Sequence, residues 1–338
     1  MTDMKKIFST GILSMLVCTE LTMQAAFPTV AEASYDNPFT NIKYMTFKGD
    51  EERVYIDRKT TAFFNSGVMP VQEEYVTPKG WQREVLTINN IPVERFRREQ
   101  SKSDRVVLFL HGGGYIGGLN NRYRDWGVNL ADLADEAELL AVDYRIAPEY
   151  KHPAALEDAL AAYEGILADG YDPEKMIVMG DSAGGNLAAA LLVALRDKKL
   201  PMPKLAVLIS PWTSFSSELP SRVRNYRKDM VLGEKNKRMT PAVLKSGYSQ
   251  GTSVTDPYLS PVCADLTGLP KLLVTVGSDE LLLDDALLFA GNAQRDGVDA
   301  ELTIYKGMSH DWTLLMPELP ETRQFFREIT DFVNKGMK

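Results

Sequence analysis

Short apolar runs alternate with helix-forming stretches along most of the chain, and these runs predict the strands of a sheet. Six of them are nearly continuous in hydrophobic residues: 105–110, 138–143, 175–180, 204–209, 271–276 and 300–305. Strands that are apolar on both faces are typical of a parallel sheet covered by helices on both sides. Two more strands are predicted at 83–89 and 92–97, joined by a hairpin turn at Asn89-Asn90. The pattern therefore predicts an α/β fold with a mostly parallel central sheet.

Two regions interrupt this alternation. Residues 34–80 carry aromatic and charged residues without a strong strand pattern, and the alternation breaks again between Trp212 and Asp256. We therefore expect the main domain at 81–338, with an inserted segment at 213–255. A run of basic residues in that segment, from Arg222 to Arg238, is expected to form a solvated helix face that pairs with neighbouring acids.

The first 33 residues differ from the rest of the chain. Lys5-Lys6 precede an apolar run at 7–17, and Ala31-Glu32-Ala33 has the A-x-A pattern of a signal-peptidase site. The run is shorter than the roughly 20 residues that a transmembrane helix needs, so a stable membrane anchor is not expected. We expect a signal peptide at 1–33, cleaved after Ala33, and a secreted or periplasmic mature protein. An amphipathic N-terminal helix on a cytoplasmic protein is the alternative.

Composition limits the partners of the chain. Its 338 residues are 44% hydrophobic, which is enough for one large α/β domain with an attached cap. The net charge of −8 disfavours binding to nucleic acid. The cysteines, Cys18 and Cys263, are isolated and the three histidines are scattered, so we expect no structural disulfide, metal site or cofactor. The sequence leaves the oligomeric state open, and a homodimer is compatible with it.

A glycine-flanked serine follows the apolar strand at 175–180. The motif Gly-Asp-Ser-Ala-Gly occupies residues 180–184, and a helix-forming stretch comes directly after it. This order is that of a nucleophile elbow, a tight turn that lifts Ser182 above the sheet at the positive end of a helix. The turn leaves no room for side chains two residues before and after the serine, which accounts for Gly180 and Gly184. Ser182 is therefore the candidate nucleophile.

A second glycine motif, His-Gly-Gly-Gly at residues 111–114, follows the strand at 105–110. A hydroxyl that attacks an ester carbonyl creates an oxyanion, and donors already in place must stabilise that charge. Glycines expose their N–H groups and adopt positive φ, so we expect the N–H groups of Gly113, Gly114 and Ala183 to converge on one point. A phosphate cradle fits poorly, because neither Walker spacing nor a helix-opening G-x-G-x-x-G is present. Together the two motifs predict a serine hydrolase.

Three histidines compete for the role of general base. His111 begins the glycine motif and is expected to brace its loop, and His152 precedes a predicted helix in a structural role. His310 follows the strand at 300–305, in the chain order of nucleophile, acid and histidine that α/β-hydrolases have. We therefore expect His310 to be the base. Trp312, two residues further on, is a candidate pocket wall, with core packing as the equal alternative.

The acid that orients the imidazole should follow the strand at 271–277. Asp279 and Glu280 both lie there. Either carboxylate can orient an imidazole, so chemistry alone leaves the two open.

The motifs resemble those of the hormone-sensitive-lipase-like esterases, a branch of the α/β-hydrolases. The matching segments are 111–115, 143–149, 153–158, 180–185 and 256–261, together with His310. The resemblance implies an α/β-hydrolase fold from about residue 80 onward, a helical cap built from residues 34–80 and 213–255, and the oxyanion donors given above. The family's acid commonly opens a D-P-L-x-D segment. Glu280, followed at that spacing by Leu282 and Asp284, fits it better than Asp279 does.

The expected reaction is hydrolysis of a carboxylic ester through an acyl-enzyme. Ser182 attacks, His310 carries the proton, and Glu280 holds the imidazole. The resemblance favours small-molecule esters with short to medium acyl chains. A lactonase, an N-acyl amide hydrolase or a carbohydrate deacetylase would use the same groups and stays open. A non-catalytic binding protein is disfavoured, because such proteins usually lose one of these residues.

Overall fold

A sheet of eight strands forms the centre of the molecule in the computed structural model, which describes residues 35–65, 74–236 and 239–338. The described residues all belong to one compact unit, Ala33–Lys338. The signal peptide that the sequence predicts, with its cleavage site after Ala33, lies outside the described residues.

The sequence pattern located every strand with its ends shifted by at most two residues. The strands are β1 (Trp81–Ile88), β2 (Ile91–Arg98), β3 (Val106–Leu110), β4 (Glu138–Val142), β5 (Met176–Asp181), β6 (Leu205–Ile209), β7 (Lys271–Gly277) and β8 (Ala300–Tyr305). They are ordered β1-β2-β4-β3-β5-β6-β7-β8. β2 pairs antiparallel with β1 and β4, and the other pairings are parallel. The predicted α/β-hydrolase fold is confirmed.

The hairpin between β1 and β2 turns on two asparagines. Asn89 and Asn90 have φ angles of 48° and 67°, the left-handed conformation that asparagine tolerates better than most residues. Two such residues in succession form the tight turn whose twist matches that of the flanking strands. The predicted hairpin is therefore present.

Helices cover both faces of the sheet. They are α1 (Glu51–Asn65), α2 (Asn121–Leu133), α3 (Ala154–Ala168), α4 (Ser182–Asp197), α5 (Pro220–Arg224), α6 (Met239–Leu244), α7 (Leu283–Arg295), α8 (Trp312–Leu315) and α9 (Pro320–Gly336). Leu108 and Leu110 of β3 belong to the core shared with α3, α4 and α7, whereas Val107 and Phe109 belong to the core shared with α2 and α9. Alternate residues of one strand thus fill opposite cores, which is why its whole length is apolar.

The two irregular regions contain helices. Residues 35–80 include α1, whose Tyr55 and Ile56 pack with Phe39 into the core next to α2 and α9. The inserted segment at 213–255 contains the short α5 and α6. Within the described ranges, none of the helices combines the length and hydrophobicity that a bilayer crossing requires.

One basic residue of the inserted segment departs from the solvated face that the sequence predicts. Arg222 lies 2.6 Å from a carboxylate oxygen of Asp285, and both side chains are at most 2% exposed. Arg224 pairs with Asp284 and Arg227 with Glu234 at more exposed positions, as expected. The expectation was wrong for Arg222 because sequence periodicity does not show that a buried acid on α7 faces this part of the segment.

Candidate active site

The candidate residues lie where parallel strands end, at one edge of the sheet. Ser182 follows β5 as the first residue of α4, Glu280 follows β7, and His310 follows β8. Since the carboxyl ends of parallel strands share an edge, the sheet brings three distant stretches of chain together.

The turn at Ser182 has the geometry of an elbow. Ser182 has a φ of 53°, a left-handed conformation that is costly for a residue with a Cβ. A Cβ at Gly180 would overlap the carbonyl of Gly184, and one at Gly184 would overlap the carbonyls of Leu110 and His111. The glycines at both positions are therefore required by the close passage of the chain, as the motif predicts.

A hydrogen-bonded chain joins the serine to a carboxylate. The Oγ of Ser182 lies 2.8 Å from Nε2 of His310, and the Nδ1 of His310 lies 3.0 Å from Oε2 of Glu280. When Glu280 is ionised, Nδ1–H donates to it, which leaves Nε2 to accept the proton of the Ser182 hydroxyl. All three side chains are buried.

Of the two candidate carboxylates, Glu280, which the family motif favours, is the one that contacts the histidine. Asp279 instead forms an ion pair with Arg53 of α1 at 2.5 Å. The second oxygen of Glu280, Oε1, accepts hydrogen bonds from Ser210 Oγ at 2.7 Å and from the Gly277 N–H at 2.5 Å. One oxygen is thus fixed to the sheet edge while the other faces His310.

Burial and charge change the protonation of this pair. Burial raises the pKa of Glu280 to about 7, and its bond to His310 opposes that rise. Burial alone would lower the pKa of His310, but the carboxylates of Asp311 and Glu280 outweigh it and raise that pKa well above the ordinary value. The imidazolium form is therefore stabilised at this site.

Asp311 is a neighbour that the motif analysis did not identify. Its Oδ2 lies 3.0 Å from Nε2 of His310, and its φ of 48° places the backbone in the left-handed region. Side chains of consecutive residues normally diverge, so adjacency in the sequence gave no reason to expect this contact.

The predicted oxyanion donors lie in the turn after β3 and at the start of α4. Gly113 and Gly114 have φ angles of 104° and 65° in the turn after β3. Ala183 is in the first turn of α4, where N–H groups lack a partner within the helix. The N–H of Gly112 donates to Asp181 Oδ1 at 3.1 Å, which ties the glycine loop to the elbow.

His111 braces the glycine loop, as the sequence predicts. Its Nδ1 lies 2.8 Å from the carbonyl of Gly112, and its ring stacks on Tyr144 with centroids 4.3 Å apart. Burial lowers the pKa of His111 to about 4, so the ring is neutral at physiological pH. His152 contacts Tyr248 edge-on at the start of α3, in a structural position.

Trp312 belongs to the core rather than to a pocket wall. Its ring is fully buried, 4.9 Å from the centroid of Tyr305 and 5.9 Å from that of Phe325. Trp212 is tied to the elbow through its backbone, because its main-chain N–H donates to the Ser182 carbonyl at 3.0 Å, and its ring stacks on Phe215. The pocket hypothesis for Trp312 was wrong.

Among the residues that the structure describes, no group of three or more histidine, cysteine, aspartate or glutamate side chains is arranged to hold a metal ion.

Several known proteins are similar to this chain in sequence and in fold. A family model described as the alpha/beta hydrolase fold matches residues 107–314. An acetyl-hydrolase from Streptomyces hygroscopicus is 36% identical over 285 residues, which cover 84% of this chain and 89% of that protein. An esterase from Acinetobacter venetianus is 31% identical over 235 residues, which cover 70% of this chain and 76% of that protein.

A solved structure indicates the same family as these relatives do. The crystal structure of an esterase from the bacterial hormone-sensitive lipase family matches with a TM-score of 0.71 and 37% identity, covering 87% of this chain and 94% of the other. The chain therefore belongs to the hormone-sensitive-lipase-like esterases of the α/β-hydrolase fold and is a carboxylic-ester hydrolase.

Proposed function

We propose that the chain hydrolyses esters of short to medium acyl chains through a covalent intermediate on Ser182. The observation that carries the proposal is the chain of hydrogen bonds from Ser182 Oγ through His310 to Glu280, at 2.8 and 3.0 Å. A hydroxyl is a weak nucleophile at neutral pH, and an adjacent, oriented base is what activates it.

The reaction proceeds in two displacements. Ser182 Oγ bonds to the substrate carbonyl carbon while its proton passes to His310 Nε2. The N–H groups of Gly113, Gly114 and Ala183 stabilise the negative oxygen. As the carbon–oxygen bond of the ester breaks, His310 returns the proton to the leaving alcohol. Water then repeats both steps on the acyl-enzyme, which releases the carboxylic acid and frees Ser182.

The preference for small acyl groups is supported by the relative from Streptomyces hygroscopicus, whose name is acetyl-hydrolase. A series of p-nitrophenyl esters from acetate to palmitate tests it. We expect the highest kcat/KM between acetate and octanoate. A maximum at the longest chains would contradict the proposal, and faster turnover of lactones or N-acyl amides would point to the alternative reactions.

Replacing the nucleophile tests the proposed mechanism. Ser182→Ala should abolish hydrolysis of p-nitrophenyl acetate and labelling by a fluorophosphonate probe, while circular dichroism and Tm stay close to those of the parent. The exposed Ser217 provides a matched control, because Ser217→Ala should keep both activities. Normal turnover or labelling of the Ser182→Ala protein would overturn the proposed mechanism.

We also propose that the protein is exported. The support is the sequence of residues 1–33, with a basic start, an apolar run and the Ala31-Glu32-Ala33 pattern. Expression of the full chain in a bacterial host should give a mature product that begins at Ser34 outside the cytoplasm. Recovery of the uncleaved chain from the cytoplasm would support the amphipathic-helix alternative.

A further inference from the structure

The peptide bond that follows Glu280 is held on both sides by the inserted segment. Asn225 donates from Nδ2 to the Glu280 carbonyl at 2.8 Å and to the Ser278 carbonyl at 3.0 Å. Asp229 accepts at Oδ2 from the Leu281 N–H at 2.8 Å. Both the C=O and the N–H of the Glu280–Leu281 peptide are thus hydrogen-bonded to side chains of the inserted segment.

Asp229 is built into this position. It is 1% exposed, and its Oδ1 accepts from the N–H groups of Val231 and Leu232 at 2.9 and 3.0 Å. The same carboxylate therefore stabilises the turn at residues 229–232 of the inserted segment and accepts a hydrogen bond from the Leu281 N–H. Burial raises the pKa of Asp229, and the charge of His310 and the three N–H donors oppose that rise.

The carbonyl of Leu281 is held as well. Ser221 Oγ donates to it at 2.7 Å, and the guanidinium of Arg222 donates to the same oxygen. Buried polar groups of an irregular loop need partners, and here the inserted segment supplies them. The segment also reaches the histidine loop, where the Met230 N–H lies 3.3 Å from Ser309 Oγ.

These bonds act where orientation matters most. The carboxylate of Glu280 is tied to the sheet edge only through Oε1, and the direction of Oε2 depends on where the backbone of residue 280 lies. A misplacement of about 1 Å in an active site can cost about 10²-fold in rate. The loop after β7 has no secondary structure of its own, so contacts with other segments are needed to hold its backbone in position to within less than about 1 Å.

We propose that Asn225 and Asp229 are positioning residues for the esterase reaction, which hold the Glu280–Leu281 peptide so that Glu280 aligns His310. The inserted segment is then part of the machinery that sets the turnover rate, in addition to covering the site. This inference rests on the proposed role of Glu280.

The test compares Asp229→Asn and Asn225→Ala with Asp284→Asn. Asp284 anchors the same segment to α7 by accepting from the Ser221 N–H at 2.7 Å, but it does not touch the Glu280–Leu281 peptide. Rates are expressed per active site, by titration with a fluorophosphonate, so that unfolded protein is not counted. We expect kcat per site to fall by about 10²-fold in Asp229→Asn and Asn225→Ala with KM little changed. Asp284→Asn should lower Tm and keep kcat per site.

A second measurement separates positioning from stability. In a Glu280→Gln background, Asp229→Asn and Asn225→Ala should cost almost nothing further, because the group that they position is already lost. Fully multiplicative losses, or an unchanged kcat per site alongside a lower Tm, would overturn the inference. If Glu280→Gln alone leaves kcat intact, the proposed role of Glu280 fails instead. Should Asp229→Asn give no soluble protein, Asn225→Ser repeats the test with a smaller polar side chain.

Discussion

The carboxylate of Asp311 lies 3.0 Å from Nε2 of His310, the nitrogen that also faces Ser182 Oγ at 2.8 Å. Neutral imidazole would direct a lone pair at that carboxylate, whereas imidazolium donates a hydrogen bond to it. Asp311 therefore favours the protonated histidine and raises its pKa. Only neutral His310 can accept the proton of the serine.

This relationship predicts the pH dependence of the reaction. The acidic limb of the kcat/KM profile reports deprotonation of His310, so we expect it at a higher pH than for an unperturbed imidazole. Asp311→Asn removes a negative charge, lowers the pKa of His310, and should move that limb to lower pH. Asp299→Asn serves as the control, because Asp299 immediately precedes β8 and so lies at the opposite end of that strand from His310. A limb that does not move in Asp311→Asn would show that the Asp311 charge does not act on the base.

Glu280 and Asp279 form a natural pair for testing the acid. Glu280→Gln can no longer stabilise the imidazolium and favours the wrong tautomer, so kcat should fall by roughly 10³–10⁴-fold. Asp279→Asn loses an ion pair with Arg53 whose arginine side chain is 38% exposed, and should stay within a few-fold of the parent. Steady-state kinetics on p-nitrophenyl acetate measures both, and the reverse order would assign the role to Asp279.

Two glycines should respond in opposite directions to alanine. A Cβ at Gly184 meets the main-chain carbonyls of Leu110 and His111, which cannot move aside without distorting β3. Gly184→Ala should therefore destabilise the fold by about 1–3 kcal/mol or more. Gly291 lies on an exposed face of α7 with nothing near its Cβ position. Gly291→Ala should therefore raise the free energy of unfolding by about 0.5–1 kcal/mol, because alanine loses less conformational entropy than glycine when the helix forms. Urea unfolding monitored by tryptophan fluorescence compares the two, and equal effects would contradict the elbow geometry.

Trp312 should affect stability more than specificity. Because its ring is fully buried against Tyr305 and Phe325, Trp312→Ala should lower the free energy of unfolding by about 3–5 kcal/mol. Val223 is 81% exposed on α5, and Val223→Ala should change that free energy by less than about 0.5 kcal/mol. The acyl-chain preference of the folded Trp312→Ala protein should match the parent. A clear shift in that preference would restore the pocket hypothesis.

The strands and the tight turn at Ser182 could be predicted from the sequence, because each depends on residues that are close together in the chain. The central strands β3 to β7 were located because residues buried on both faces must be apolar. The elbow was located because only glycine fits two residues before and two residues after Ser182. Contacts between segments that are distant in the chain could not be predicted in this way. Asn225, Asp229 and Arg222 occur in a stretch whose composition predicts a solvated surface, yet each is buried against the loop around residues 278–285.

The sequence by itself determined the fold class and the strand positions, and it identified Ser182 and His310 as the candidate nucleophile and base that the structure brings into contact. Periodicity, tight turns and chain order can be read from the order of residues along the chain. The spacing of the family motif favoured Glu280, but the chemistry of the chain could not separate it from Asp279. The tertiary structure shows that Glu280 reaches His310 and that Asp311 contacts the Nε2 of the same histidine. The reason is physical: two adjacent carboxylates have the same chemistry in the chain. Which one turns inward depends on partners from other elements, such as Ser210 and Arg53, that no local pattern can place.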